Sequence, residues 1–317
     1  MDILIDYLTF TLKEYTYSDL IDLLGLRDVQ FVAGRAYNGW QECNYCNGVK
    51  LLLGGREDVC ADLSGVGCRF LETANGDSFD WASLLSWLEH EPRANISRLD
   101  VACDDKTGLL QMPKMVKYTA DGKYISRARK RRWISGDEES IIFGSPSSDT
   151  RLRIYNKALE RGVKGEWLRA EFQFRDQAAD SFILNLEHVK DIGLCYGGVM
   201  NNYLRYTIIN PETCDGHYER VPTVRWWREF LGTVAKIKNI TVGGMEYNYG
   251  TLVDYLEKQV ASSIRTYVLA NGGDISGLLE MAQKAKLSKK QRMMLWTHQI
   301  SQEWAQAEKE GVVAYAE

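Results

Sequence analysis

Residues 150–157 read TRLRIYNK and set one tyrosine among three cations in a stretch with strand-like alternation. Successive side chains of a strand point to opposite faces. Leu152 and Ile154 then face one way, and Arg151, Arg153, Tyr155 and Lys157 face the other. Two further segments repeat the design. In ISRLDVACDD (96–105), Leu99, Val101 and Cys103 oppose Arg98, Asp100, Ala102 and Asp104. In WLRAEFQFR (167–175), Leu168, Ala170, Phe172 and Phe174 oppose Arg169, Glu171, Gln173 and Arg175. If the three strands are neighbours in one antiparallel sheet, a phenol, several carboxylates and several guanidiniums share its polar face. Spaced carboxylates suit a hard divalent cation such as Mg²⁺ or Mn²⁺, tyrosine can act as a nucleophile, and arginine grips phosphate bidentately. A free tyrosine titrates near ~10, so at neutral pH making the phenolate costs roughly 4 kcal/mol. A metal ion and flanking cations lower that cost, and the metal can polarise the phosphorus under attack. The set therefore fits attack on a phosphodiester. It equally fits a solvated sheet face with cross-strand ion pairs and a tyrosine lying over arginine stems.

The surrounding pattern says which elements must carry these strands. Residues 3–13 alternate as a strand, and YSDLIDLLGL (17–26) has helical spacing with Ser18 as candidate N-cap. From Gly39 to Glu72 the pattern is hairpin-like. WASLLSWLEH (81–90) is an amphipathic helix stopped by Pro92, and 111–120 is a helix with Pro113 in its first turn. Residues 123–175 read as several strands, and 178–189 and 224–237 as helices. KNITVGGMEYNYG is the best linker in the chain. The expected fold class is α+β: an antiparallel sheet packed on helices over residues 1–240, then an all-helical region over 241–317. No internal repeat of fixed period is visible.

The 317 residues are 45% hydrophobic and 26% charged, the composition of an ordinary globular chain of one or two domains. No stretch approaches the ~18 apolar residues of a membrane span, and the acidic amino terminus does not resemble a secretory signal. A cytoplasmic protein without membrane partners is expected. The seven cysteines are then reduced thiols; CNYC (43–46) has only Cys60 and Cys68 nearby as partners for a zinc site, and these do not form a second CxxC. The four histidines, His90, His188, His217 and His298, lie far apart in sequence, with no His-x-His pair. The net charge of −4 is unevenly spread: Lys123 to Arg175 holds thirteen Lys or Arg against seven Asp or Glu. A basic middle between acidic flanks excludes a uniformly basic nucleic-acid coat.

ISRLDVACDD, FGSPSSDTRLRIYNKALERG and WLRAEFQFRDQAA resemble the signature blocks of the Rep_trans replication initiation factors, the initiators of rolling-circle plasmid replication and related relaxases of conjugative elements. IDYLTFT, GWQECNYCNGVKLLLGG and ADLSGVGCRFLE match in type and order, so the resemblance spans roughly 3–240. It implies a metal-dependent nickase and strand transferase in which Tyr155 becomes joined to a 5′ phosphate and frees a 3′ hydroxyl. Arg153 and Lys157 flank that nucleophile in the R-x-Y-x-K block. Asp100, Glu171 and Asp104 or Asp105 map to the acidic metal positions, with Asp104 the one adopted here. The expected partners are DNA at a replication or transfer origin and a host or element helicase, with a homodimer an open option.

SRARKRRWISG (126–136) is the densest basic run, with Arg129, Lys130, Arg131, Arg132 and Trp133 as candidate backbone and base contacts. Arg98, Arg151, Arg169 and Arg175 on the strands, and Ser145 in the GSPSSD loop, complete the expected DNA surface. KLSKKQ in the tail suggests a helix-turn-helix offering Lys284, Lys286, Lys289, Lys290 and Arg292 to duplex DNA, or else a simple helical hairpin. Two rival readings remain: a DNA-binding regulator without enzymatic activity, and a metal-dependent nuclease that uses water.

Overall fold

Residues 2–54, 58–134, 139–214, 220–232, 252–253 and 256–285 are described by the computed structural model of the chain. Contacts divide the chain into two units, Met1–Gly243 and Gly244–Glu317. The first carries the sheet. Its strands are β1 (Asp2–Lys13), β2 (Val32–Ala33), β3 (Glu42–Cys46), β4 (Val49–Leu53), β5 (Asp58–Leu63), β6 (Ala94–Asp105), β7 (Tyr124–Ser126), β8 (Arg131–Ile134), β9 (Ser140–Phe143), β10 (Thr150–Asn156), β11 (Leu168–Phe174) and β12 (Leu204–Tyr206). Its helices are α1 (Tyr17–Leu23), α2 (Gly65–Asn75), α3 (Trp81–His90), α4 (Met112–Ala120), α5 (Lys157–Arg161), α6 (Gln177–Val189), α7 (Ile192–Tyr203) and α8 (Arg225–Leu231).

Ten strands form one antiparallel sheet in the order β2-β3-β4-β5-β1-β6-β11-β10-β9-β8, and β7 and β12 pair separately. Period-two alternation puts Leu99, Val101, Cys103, Leu152, Ile154, Ala170, Phe172 and Phe174 on one face, all fully buried. Helices cover that face and contribute Leu71, Leu85, Met115, Phe182, Tyr196 and Trp227 to a continuous core. The α+β class with an antiparallel sheet is thus as expected, and the three chemistry-bearing strands β6, β11 and β10 lie side by side.

The sheet is assembled twice from one topology. A 12-residue strand (β1, β6) is followed by a helix, a short edge strand, three further strands and a helix, with β7 and α5 inserted in the second half. Outward from the central β1–β6 pair, both halves run long strand, last strand, middle strand, first strand, edge strand. This duplication was invisible as a sequence period because the halves differ in loop lengths and residue types.

Helices α1, α3, α4 and α6 stand where periodicity put them, although the cap of α1 is Thr16, in a capping box with Asp19, and not Ser18. Two helices escaped the pattern. Residues 65–75, read as part of a hairpin region, form α2; two glycines in its first turn hide it. Gly67 is required there, since a Cβ would sit 2.4 Å from the Gly48 carbonyl oxygen. Helix α7 is apolar nearly all round, with Gly197 and Gly198 buried, so it lacks an amphipathic signature.

In the second unit, a π-helical turn (Leu256–Val260) leads into α9 (Ala261–Ala270) and α10 (Ser276–Lys284). The linker at 238–250 and the suggested helix-turn-helix beyond residue 285 fall outside the described residues. No described helix is long and apolar enough to cross a membrane.

Candidate nicking site on the open sheet face

The site lies on the sheet face that the helices leave open. Register sets its columns: Tyr155 is opposite Arg169, which is opposite Asp104; Arg153 is opposite Glu171; Arg151 is opposite Gln173, which is opposite Asp100. One column thus carries the phenol and the next carries the acid beside it.

The Tyr155 hydroxyl donates to Glu171 Oε2 at 3.1 Å, and Lys157 Nζ donates to the same hydroxyl at 3.3 Å. The Arg153 guanidinium lies 4.2 Å from the ring centroid. Tyr155 is only 3% exposed. Burial and then the Glu171 charge push its phenol well above the ordinary range, so the hydroxyl rests protonated as a donor. Lys157 was expected as a strand residue. The chain instead turns into α5 at that point, capped by the Asn156 side chain on Leu159 N at 3.0 Å. Lys157 reaches the phenol from the helix, buried, and also pairs with Glu160.

The acids are engaged by arginines. Arg169 binds Asp104 through two bonds of 2.7 and 2.8 Å and Asp6 at 2.7 Å. Arg98 binds Asp100 through bonds of 2.9 and 2.5 Å, and its guanidinium lies 3.9 Å from the Tyr7 centroid. The Gln173 amide oxygen, turned toward Arg98, accepts from it at 2.8 and 2.9 Å. Burial raises Asp100 despite Arg98. Burial would raise Asp104 too, but the Arg169 bonds win and lower it. Glu171 has no arginine ion pair among the described residues: burial, then the charges of Asp100 and Asp6, push it up to about 7. Asp105 faces away from this group. It accepts from Thr107 N (2.9 Å), Thr107 Oγ1 (2.6 Å) and Leu110 N (2.6 Å), and so shapes the turn after β6.

Several expected DNA contacts are redistributed. Arg169 is 5% exposed with its donors spent on two carboxylates, so it organises the site and does not present a cation to solvent. The basic run becomes edge strand β8, and alternation splits it. Arg132 is opposite Ile142, itself opposite Arg153, and joins the open face. Arg131 and Trp133 are opposite Phe143 and Ile141, which point to the helix side, so both leave the site face although each is exposed. Arg129 and Lys130 are exposed just before β8. The Ser145 hydroxyl is taken up by Ser147 and Ser148 within its own loop, at 3.1 and 2.9 Å. Arg151, Arg153, Arg132 and Arg98 line a cleft of about 290 Å³ with Glu171 and Gln173. Arg175 follows β11, with its N–H on Asp149 O.

Asp6 was missed. It is the extra residue of a bulge in β1, between the Ile5–Val101 and Tyr7–Asp100 pairs. Its only signal was an acid set among the apolar residues of ILIDYL. Tyr7 and Asp62 were also missed; Asp62 is buried and bound by Tyr37. Cys43, from CNYC, packs with Cys60 and Leu52, while Cys68 lies in the main core on the other face. Of the paired tryptophans, Trp227 is buried in the core and Trp226 only packs against it. Among the described residues, no three His, Cys, Asp or Glu side chains converge as a ready metal cage.

The replication initiation factor family, Rep_trans, matches residues 94–298. The chain belongs to that family. It is 24% identical to "Putative DNA relaxase NicK" of Bacillus subtilis (strain 168), over 92% of this chain and 88% of that protein. The solved rolling circle replication initiator protein from Geobacillus stearothermophilus superimposes with a TM-score of 0.66 at 26% identity. That match covers 77% of this chain and 99% of the other. This replication initiation factor shares its fold with that protein.

Proposed function

We propose that this replication initiation factor nicks one strand of its own origin DNA and carries the cut end as a 5′-phosphotyrosine, for rolling-circle replication or conjugative transfer. The observation that carries the reading is the Tyr155 hydroxyl hydrogen-bonded to a carboxylate on a face lined by arginines. Tyr155 Oη attacks phosphorus, the bond from phosphorus to the 3′ oxygen breaks, and that oxygen leaves and takes a proton from solvent water to become the 3′ hydroxyl. Glu171, already the acceptor of the phenolic proton at 3.1 Å, takes that proton. Lys157 and Arg153 lie where they offset negative charge building on the reacting group.

The donor chemistry suits Mg²⁺ or Mn²⁺, since Asp100, Asp104 and Glu171 offer hard oxygens and a cation would relieve the repulsion that raises Glu171. When bound, such an ion polarises the phosphodiester. It would compete with Arg98 and Arg169 for Asp100 and Asp104.

The test is incubation of supercoiled origin DNA with parent and Tyr155→Phe in Mg²⁺ or Mn²⁺. The parent should nick and remain on the 5′ end; the variant should bind and form no adduct. Nicking without any protein on the end would favour attack by water, and binding by the parent without nicking would favour a DNA-binding regulator.

A further inference from the structure

The open face spends its cations unequally. Arg98 and Arg169 are consumed by carboxylates. Arg132, Arg151, Arg153 and Arg175 have no ion pair among the described residues, yet they gather at one end of the same face. Burial and the charges of Arg132, Arg153 and Arg175 shift Arg151 below the ordinary guanidinium range. Like charges held together in a partly dry cleft repel, and Glu171, the one acid lining that cleft, offsets them only in part. Two buried polar atoms of cleft residues also lack partners: Arg151 Nε and Ser140 Oγ, the latter opposite Tyr155 in register. A buried donor left unmatched costs about 1–3 kcal/mol. A run of backbone phosphates along the cleft would offset the unpaired guanidinium charges.

We infer that Arg132, Arg151 and Arg175 form a second phosphate subsite, separate from the attack position at Tyr155, that holds the same single strand farther along its backbone. This rests on the nickase reading for the direction of the strand but not for its charge. Tyr155 and Arg151 are four residues apart on β10, roughly 13 Å at the rise of a strand. At about 3.4 Å per stacked nucleotide, that is a span of several nucleotides. The subsite therefore acts as a ruler: gripping one phosphate fixes which other phosphate meets the phenol. Arg153, midway between them, lies over the Tyr155 ring and is the one member shared by both positions.

The experiment measures binding of fluorescent dT20 across a salt series by parent, Arg151→Ala, Arg132→Ala and Lys117→Ala, a cation on the surface of α4. Each phosphate contact to a single strand contributes a log–log salt slope of about 0.7. Arg151→Ala and Arg132→Ala should each lower the slope by about that amount, and Arg151→Ala should weaken binding about tenfold at low salt. Lys117→Ala should match the parent. Thermal unfolding monitors Arg151→Ala, while Arg132, exposed on an edge strand, gives a variant with little to disturb in packing. Unchanged slopes in both arginine variants, equal losses in Lys117→Ala, or no binding of dT20 by the parent would overturn the subsite. Adduct formation by the parent on origin DNA is scored in parallel. Adduct with unchanged slopes defeats the subsite alone, whereas absence of adduct defeats the nickase reading.

Discussion

The Tyr155 hydroxyl donates to Glu171 across adjacent strands β10 and β11, although the backbone register sets Tyr155 against Arg169 and Glu171 against Arg153. The contact is therefore diagonal, and it couples the phenol to an acid that has no arginine ion pair among the described residues.

That acid should leave a signature in stability. The carboxyl of Glu171 is raised from 4.5 to about 7 in the folded chain. Between those values the folded state binds the extra proton, so stability falls as pH rises. The contribution is full below the unfolded value near 4.5 and is lost as pH passes 7. In metal-free buffer, urea unfolding should show Glu171→Gln gaining on the parent from pH 5 to pH 8, by on the order of 2–3 kcal/mol. A difference that stays flat across that range contradicts the shift.

Among the described residues, Arg169 is the only cation bonded to both Asp6 and Asp104. Arg169→Ala should cost about 3–5 kcal/mol, because it strands two carboxylates in a buried setting. Replacing Asp6 with Asn in the same variant should recover part of the loss. Denaturant midpoints of the single and double variants test this, and strictly additive losses would rule out the shared network.

Asp104 and Asp105 are adjacent and chemically identical but should behave differently. Asp105→Ala removes the acceptor for Thr107 and Leu110 and should lower stability by about 1–2 kcal/mol, with nicking rate preserved once folded. Asp104→Asn should depress nicking and raise the metal concentration required. Equal nicking defects in the two variants would show that the turn, and not the face, governs activity.

Gly67→Ala pushes a methyl onto the Gly48 backbone, which is not a flexible side-chain end. A loss of about 1–3 kcal/mol is expected, read as a lower urea midpoint with the adduct yield per folded molecule unchanged.

Much of the site could be read from particular residues. Alternation in TRLRIYNK assigned Arg151, Arg153 and Tyr155 to one face, and the structure agrees side chain by side chain. The same rule, applied to Arg131, Arg132 and Trp133, separates them, whereas the density of the basic run suggested one shared DNA surface. Lys157 shows the opposite failure: the alternation was carried one residue past the point where Asn156 caps a helix. Asp6 needed the bulge, and α2 needed the packing of Gly67 on Gly48, neither of which leaves a local trace.

The sequence by itself determined which side chains share a face, because strand alternation is a property of each residue and its immediate neighbours. Only the tertiary structure decided which strands stand together, that β1 enters the middle and brings Asp6 to Arg169, and which arginines are spent on acids and which stay free. Strand neighbours and register follow from long-range pairing and helix packing, and those interactions join residues far apart in the chain, as Asp6 and Arg169 are.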